Sequence, residues 1–183
     1  MKNPQEIKNA QDMAISGLII AASKVNDSLG SFSGWLVAGV GAAFSLLLAS
    51  YEVVSRFVCT SHIRTALLLL VFGLIISILA RLLAAMVSSA IGSHEASTAQ
   101  VAHLIEAGET FDIDVFTTEF QRGLFPYQRW LTKRAMAKAR SGDFVAGARL
   151  IAKLSQVQAL LVLIETALAI GAAATLVSGL KAI

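Results

Sequence analysis

Three stretches of this chain are almost unbroken apolar sequence, and the charges that interrupt them are few enough to name. Gly34–Val54 reads GWLVAGVGAAFSLLLASYEVV and carries Glu52. Thr65–Ile91 contains LLLLVFGLIISILARLLAAM and carries Arg81. Val157–Leu180 reads VQALLVLIETALAIGAAATLVSGL and carries Glu165. A helix rising about 1.5 Å per residue needs ~20 apolar residues to cross a hydrocarbon core of roughly 30 Å. All three stretches are long enough. Only Ser55–Arg64 separates the first two, so they are expected to fold back as an antiparallel helical hairpin. Upstream, Met13–Ala22 is too short to span and fits an amphipathic helix lying at a membrane interface. Ser28, Gly30, Ser31 and Ser33 predict a break between that helix and the first span.

Between Gly92 and Gln156 the pattern turns polar, acidic first (Glu95, Glu106, Glu109, Asp112, Asp114, Glu119) and basic afterwards. Within it, AKARSGDFVAGARL reads as a junction of two helices. Gly142 suits the left-handed position that closes a helix and Asp143 the next N-cap. A helix is expected over Tyr127–Ser141, starting after Pro126, and from Phe144 another can run without a break into the third span. The expected fold is therefore an all-α integral membrane protein with three transmembrane helices. Residues 1–33 form an N-terminal interfacial segment, 34–91 the hairpin, 92–156 a cytoplasmic helical segment and 157–183 the third span.

Composition agrees. Hydrophobic residues make up 56% of the chain and charged residues 15%, with mean hydropathy +0.70. Soluble domains carry roughly 25% charged residues. The N-terminus lacks a signal-peptide layout, since Lys2, Glu6, Lys8 and Asp12 precede any apolar run. The single Cys59 excludes an internal disulfide and a cysteine zinc cluster. Orientation follows from lysine and arginine. The N-terminal segment and residues 92–156 together hold eleven of them, against three in the hairpin loop and C-terminus (Arg56, Arg64, Lys181). The N-terminus is thus expected inside a bacterial inner membrane, with the C-terminus outside.

Arg81 and Glu165 are the charges set well inside the spans. Steps of four from Arg81 meet Gly73, Ser77, Ala85 and Ser89, all small or hydroxylated, which predicts a groove for another helix. Arg81 and Glu165 lie at matched depths, roughly 12–15 Å from the cytoplasmic ends of their spans at about 1.5 Å per residue. They are expected to pair, because an unpaired arginine there costs about 2.5–3.5 kcal/mol on insertion scales. Such a pair either fixes helix register or lines a polar path, and an arginine snorkelling to the headgroups is the competing reading. Small residues spaced by four recur as Gly34, Ala38, Ala42 and as Gly41, Ser45, Ala49 in span one, and as Gly171, Thr175, Gly179 in span three. These rows allow close helix packing within membranes and predict a homo-oligomer.

No catalytic constellation, cofactor motif or metal set emerges. GSFSG at Gly30–Gly34 places Phe32 where a nucleophile elbow needs serine. His103 and Glu106 lack a second ligand pair, and no glycine-rich phosphate loop is present. The helix YQRWLTKRAMAKAR clusters Arg129, Lys133, Arg134, Lys138 and Arg140 around Trp130. A basic juxtamembrane cluster attracts anionic lipid headgroups at about 1 kcal/mol per charge. A cytoplasmic protein partner is the alternative, and nothing suggests a nucleic-acid fold. In outline, a membrane hairpin with added helices resembles small bacterial membrane effectors, holin-like proteins and channel subunits, with no motif tying it to one family. The expected function is non-enzymatic: an oligomer that forms or regulates a pore, or alternatively a membrane-anchored module whose cytoplasmic helices dock a protein.

Overall fold

A computed structural model of the chain describes residues 4–107, 112–123, 126–143 and 145–181. These residues are nearly all helical, and among them β structure is confined to one bridge between Val58 and Leu180. The elements are α1 (Pro4–Ala49), α2 (Tyr51–Phe57), α3 (Thr60–Glu106), α4 (Ile113–Arg122), α5 (Pro126–Arg140) and α6 (Val145–Ser178). Three helices, α1, α3 and α6, are long and apolar enough to cross a membrane. At 46, 47 and 34 residues they far exceed the ~20 that a crossing requires.

The expected break before span one is absent. Ser28, Gly30, Ser31 and Ser33 all lie inside α1. A glycine within a helix costs only about 1 kcal/mol relative to alanine, which packing on either side outweighs. Ser33 spends its hydroxyl on other helices rather than on a cap. Likewise α3 passes through Gly92 without interruption. At Gly142 the chain does turn: φ is +92°, the left-handed value that ends α5. Asp143 places its carboxylate on Arg149 at 2.6 Å. Phe144 lies outside the described residues.

Two compact units divide the chain. The first combines residues 1–24 with 86–155, and the second combines 25–85 with 156–183. In the first, Ile19 and Ala22 of α1 are buried with Val87 and Ile91 of α3 and Ala148 and Ile151 of α6. Of the stretch expected as an interfacial helix, Ile19 and Ala22 thus pack on other helices, while Met13 and Ile20 are exposed. Asp112 caps α4 by accepting from the backbone N–H of Asp114 and Val115, and Arg129 of α5 donates to the Gln121 carbonyl at 2.8 Å.

In the second unit, the core joins Val40 of α1, Ala66 and Leu70 of α3 and Ala172 of α6. Its buried positions step by three and four: Ile63, Ala66, Leu70, Gly73, Ser77 and Ala80 on α3, and Gln158, Val162 and Glu165 on α6. This is the spacing of a packed helix seam. The hairpin loop and the chain's end are tied together. Cys59 N–H donates to the Gly179 carbonyl, Lys181 N–H to Phe57 and Lys181 Nζ to Ser55, at 2.9, 2.8 and 2.7 Å.

Candidate functional site

Most of the second unit's interior is aliphatic, so the polar groups on its seam stand out. Glu165 is 1% exposed, Ser33 and Ser77 are 2% exposed, and Asn26 and Gln158 are also buried. Ser33 Oγ donates to Glu165 Oε2 at 3.1 Å and lies 3.5 Å from Ser77 Oγ. Because Ser33 spends its proton on the carboxyl group, Ser77 is the donor of the second bond. One residue from each long helix thus meets in a single layer. Glu165 Oε1 has no hydrogen-bond partner, nor has Gln158 Oε1.

Arg81 is not part of this layer. Among the described residues no ion pair joins it to Glu165. Its side chain is exposed, with Nη2 placed 3.6 Å from where a Cβ on Gly34 would sit. Arg81 and Glu165 do reach adjacent residues of α1, Gly34 and Ser33, as equal depth requires, but by different sides. The reason is angular. Four residues advance a helix of 3.6 residues per turn by roughly 40° more than a full turn. The row Gly73, Ser77, Arg81, Ala85 therefore winds from the buried side to the exposed side, where Arg81 and Ala85 emerge.

The same winding sorts the small-residue rows. In span one, Ala38, Ala42, Ser45 and Ala49 are exposed, while Gly34 and Gly41 are half-buried. The face that packs internally is instead Leu36, Val40, Phe44 and Leu47. In span three the row winds inward: Gly171 lies against Leu69 and Gly179 against His62 and Val58. Thr175 turns its hydroxyl back to the Gly171 carbonyl at 2.7 Å. Of the basic cluster, Arg129, Lys133, Arg134 and Lys138 are exposed on α5 beside Trp130, which is 75% exposed. Arg140 ends that helix, and its side chain lies outside the described ones.

Two open grooves on the second unit, of about 380 and 310 Å³, are lined mainly by leucine, valine, alanine and aromatic side chains. Among the described residues no group of histidine, cysteine or carboxylate side chains is arranged to hold a metal. Sequence reasoning found Glu165 but missed Ser33, Ser77, Asn26 and Gln158. The signal was available: Asn26 and Ser33, like Gln158 and Glu165, are seven residues apart, the repeat that keeps a seam facing inward. Compared with known proteins, the chain matches no protein-family model, no curated sequence and no solved structure.

Proposed function

We propose that this chain is a small, non-enzymatic, multi-pass protein of the bacterial inner membrane that self-associates and forms or regulates a pore. The supporting observation is the position of Arg81: exposed on the outside of the three-helix unit, beside Gly34, where the exposed row of Ala38 and Ala42 begins. Within the second unit the helices run 25–49, 60–85 and 156–178, roughly 35–39 Å each at about 1.5 Å per residue, close to a bilayer's hydrocarbon. In this unit Arg81 lies four residues, about 6 Å, inside the end of its helix, so a monomer in lipid leaves its charge near the edge of the hydrocarbon with no ion partner among the described residues. Association of copies through the neighbouring small-residue face removes the arginine from lipid and sets it at a shared interface or water-filled path. The basic bias supports an N-terminus inside and a C-terminus outside.

Ion efflux from liposomes carrying the purified protein tests the pore. Leakage above that of empty vesicles, altered by Arg81→Glu, is expected. No leakage at any protein density overturns the pore reading.

A second reading has its own observation. The exposed face of α5 combines Trp130 with Arg129, Lys133, Arg134 and Lys138, a surface made to meet something. Under the pore reading it meets anionic headgroups. Under the second, the spans are an anchor and the cytoplasmic helices dock a partner protein.

A further inference from the structure

Glu165 presents an unsolved electrostatic problem inside its own three-helix unit. A carboxylate removed from water is stable there only if a cation, a proton or several donors compensate it. Among the described residues one donor, Ser33, reaches Oε2, and the buried Oε1 has no partner. Among the described residues the charged group placed beside this layer is Arg81, on α3, and its guanidinium turns out toward Gly34 instead. From α1 the Ser33 hydroxyl meets Glu165, and from α3 the Ser77 hydroxyl meets Ser33 in the same layer.

We propose that Ser33, Ser77 and Glu165 form a binding site for a single monovalent cation, Na+, centred on Glu165 Oε1. The charge argument selects the valence. One carboxylate neutralises one positive charge, whereas a divalent ion would leave a net charge in apolar surroundings and ordinarily gathers several carboxylates or many oxygens. The donor set selects a hard cation, since hydroxyl and carboxylate oxygens are its ligands. Binding moves the Ser33 hydroxyl from donor toward ligand. Asn26 and Gln158 form a second buried polar level, each seven residues before Ser33 and Glu165 on the same helix. They lie between the layer and the end of the unit at Val25 and Gln156. This site stands whether or not the protein conducts ions or self-associates.

The test is labelling of the full-length protein in detergent with dicyclohexylcarbodiimide, which modifies carboxyl groups held in apolar surroundings, read residue by residue by mass spectrometry. In choline chloride at mildly acidic pH, Glu165 is expected to label in preference to the exposed Glu6 and Glu52. Labelling slows roughly tenfold when Na+ is about ten times its dissociation constant, by mass action. Ser33→Ala and Ser77→Ala then each require more Na+ for the same protection, an effect that a merely structural serine would not produce. Labelling that ignores Na+ overturns the proposal. Glu165→Gln removes the label, and the serine variants suffice should that variant fail to fold. Glu165 resisting the reagent at every pH and Na+ concentration, or labelling indifferently to both, overturns the proposal.

Discussion

Gly179 is where single atoms decide the packing. A Cβ there would fall 2.5 Å from His62 Cβ and 2.6 Å from His62 Cγ, closer than real contacts allow. Gly179→Ala is therefore expected to destabilise the protein by about 1–3 kcal/mol, the usual cost of overpacking, as read by denaturant-induced loss of structure in detergent. Removing the obstacle with His62→Gly should recover part of that loss; a strictly additive double mutant would show that the two residues do not meet. Arg81 and Glu165 are expected to behave in the opposite way. Since no ion pair joins them, the losses from Arg81→Leu and Glu165→Leu should add to within about 0.5 kcal/mol. A double mutant recovering much more than that would establish the pair. The two charges were legible in the sequence as exceptional, and so was their matched depth. Their side-chain directions were not, because a four-residue row drifts by roughly 40° per step and a small error in choosing the contact stripe swaps inside for outside.

At the scale of helices, existence and type were readable, and ends were not. The apolar stretches Gly34–Val54, Thr65–Ile91 and Val157–Leu180 lie within α1, α2, α3, α6 and the short segments beside them. Yet α1 and α3 extend far beyond their apolar parts, because no proline or capping side chain stops them and their polar ends are packed: Ile19 and Ala22 on one, Val87 and Ile91 on the other. Serine and glycine were weak stop signals against that packing. The exposed row on α1 carries the prediction at this scale. Leucine at both Ala38 and Ala42 should reduce the mass of the detergent-solubilised complex while leaving helix content by circular dichroism unchanged, because neither side chain is used inside the unit. An unchanged mass would remove that face as an intersubunit contact. On α5, Trp130 in a Trp35→Phe background should show blue-shifted emission in anionic relative to neutral vesicles, and the shift should shrink at high salt as charges are screened. Emission independent of lipid charge would leave that face to a protein.

For the whole molecule, the proposed three crossings would put the hairpin loop and the C-terminus on one side and the N-terminus with the charged helices on the other. The structure supports the first half of that arrangement directly. Val58 bridges Leu180, Cys59 bonds to Gly179, and Lys181 bonds to both Phe57 and Ser55, so the loop and the chain's end share one end of the second unit. Which side of the membrane they share rests on the lysine and arginine count alone. Cys59, the chain's single cysteine, makes the question measurable without a fusion. In intact cells, a membrane-impermeant maleimide is expected to label Cys59. In a Cys59→Ser background it should also label Ile183→Cys, but it should label Lys138→Cys only after the membrane is opened. Labelling at 59 and 183 from opposite sides would contradict the contacts of Cys59 with Gly179 and of Lys181 with Phe57. Labelling of 59 and 183 only after opening, with 138 accessible from outside, would keep the fold and invert the protein, and the basic bias would then have misled. Accessibility of all three from one side would mean that one of the three long helices does not cross, and the pore reading would lose the helix count on which it depends.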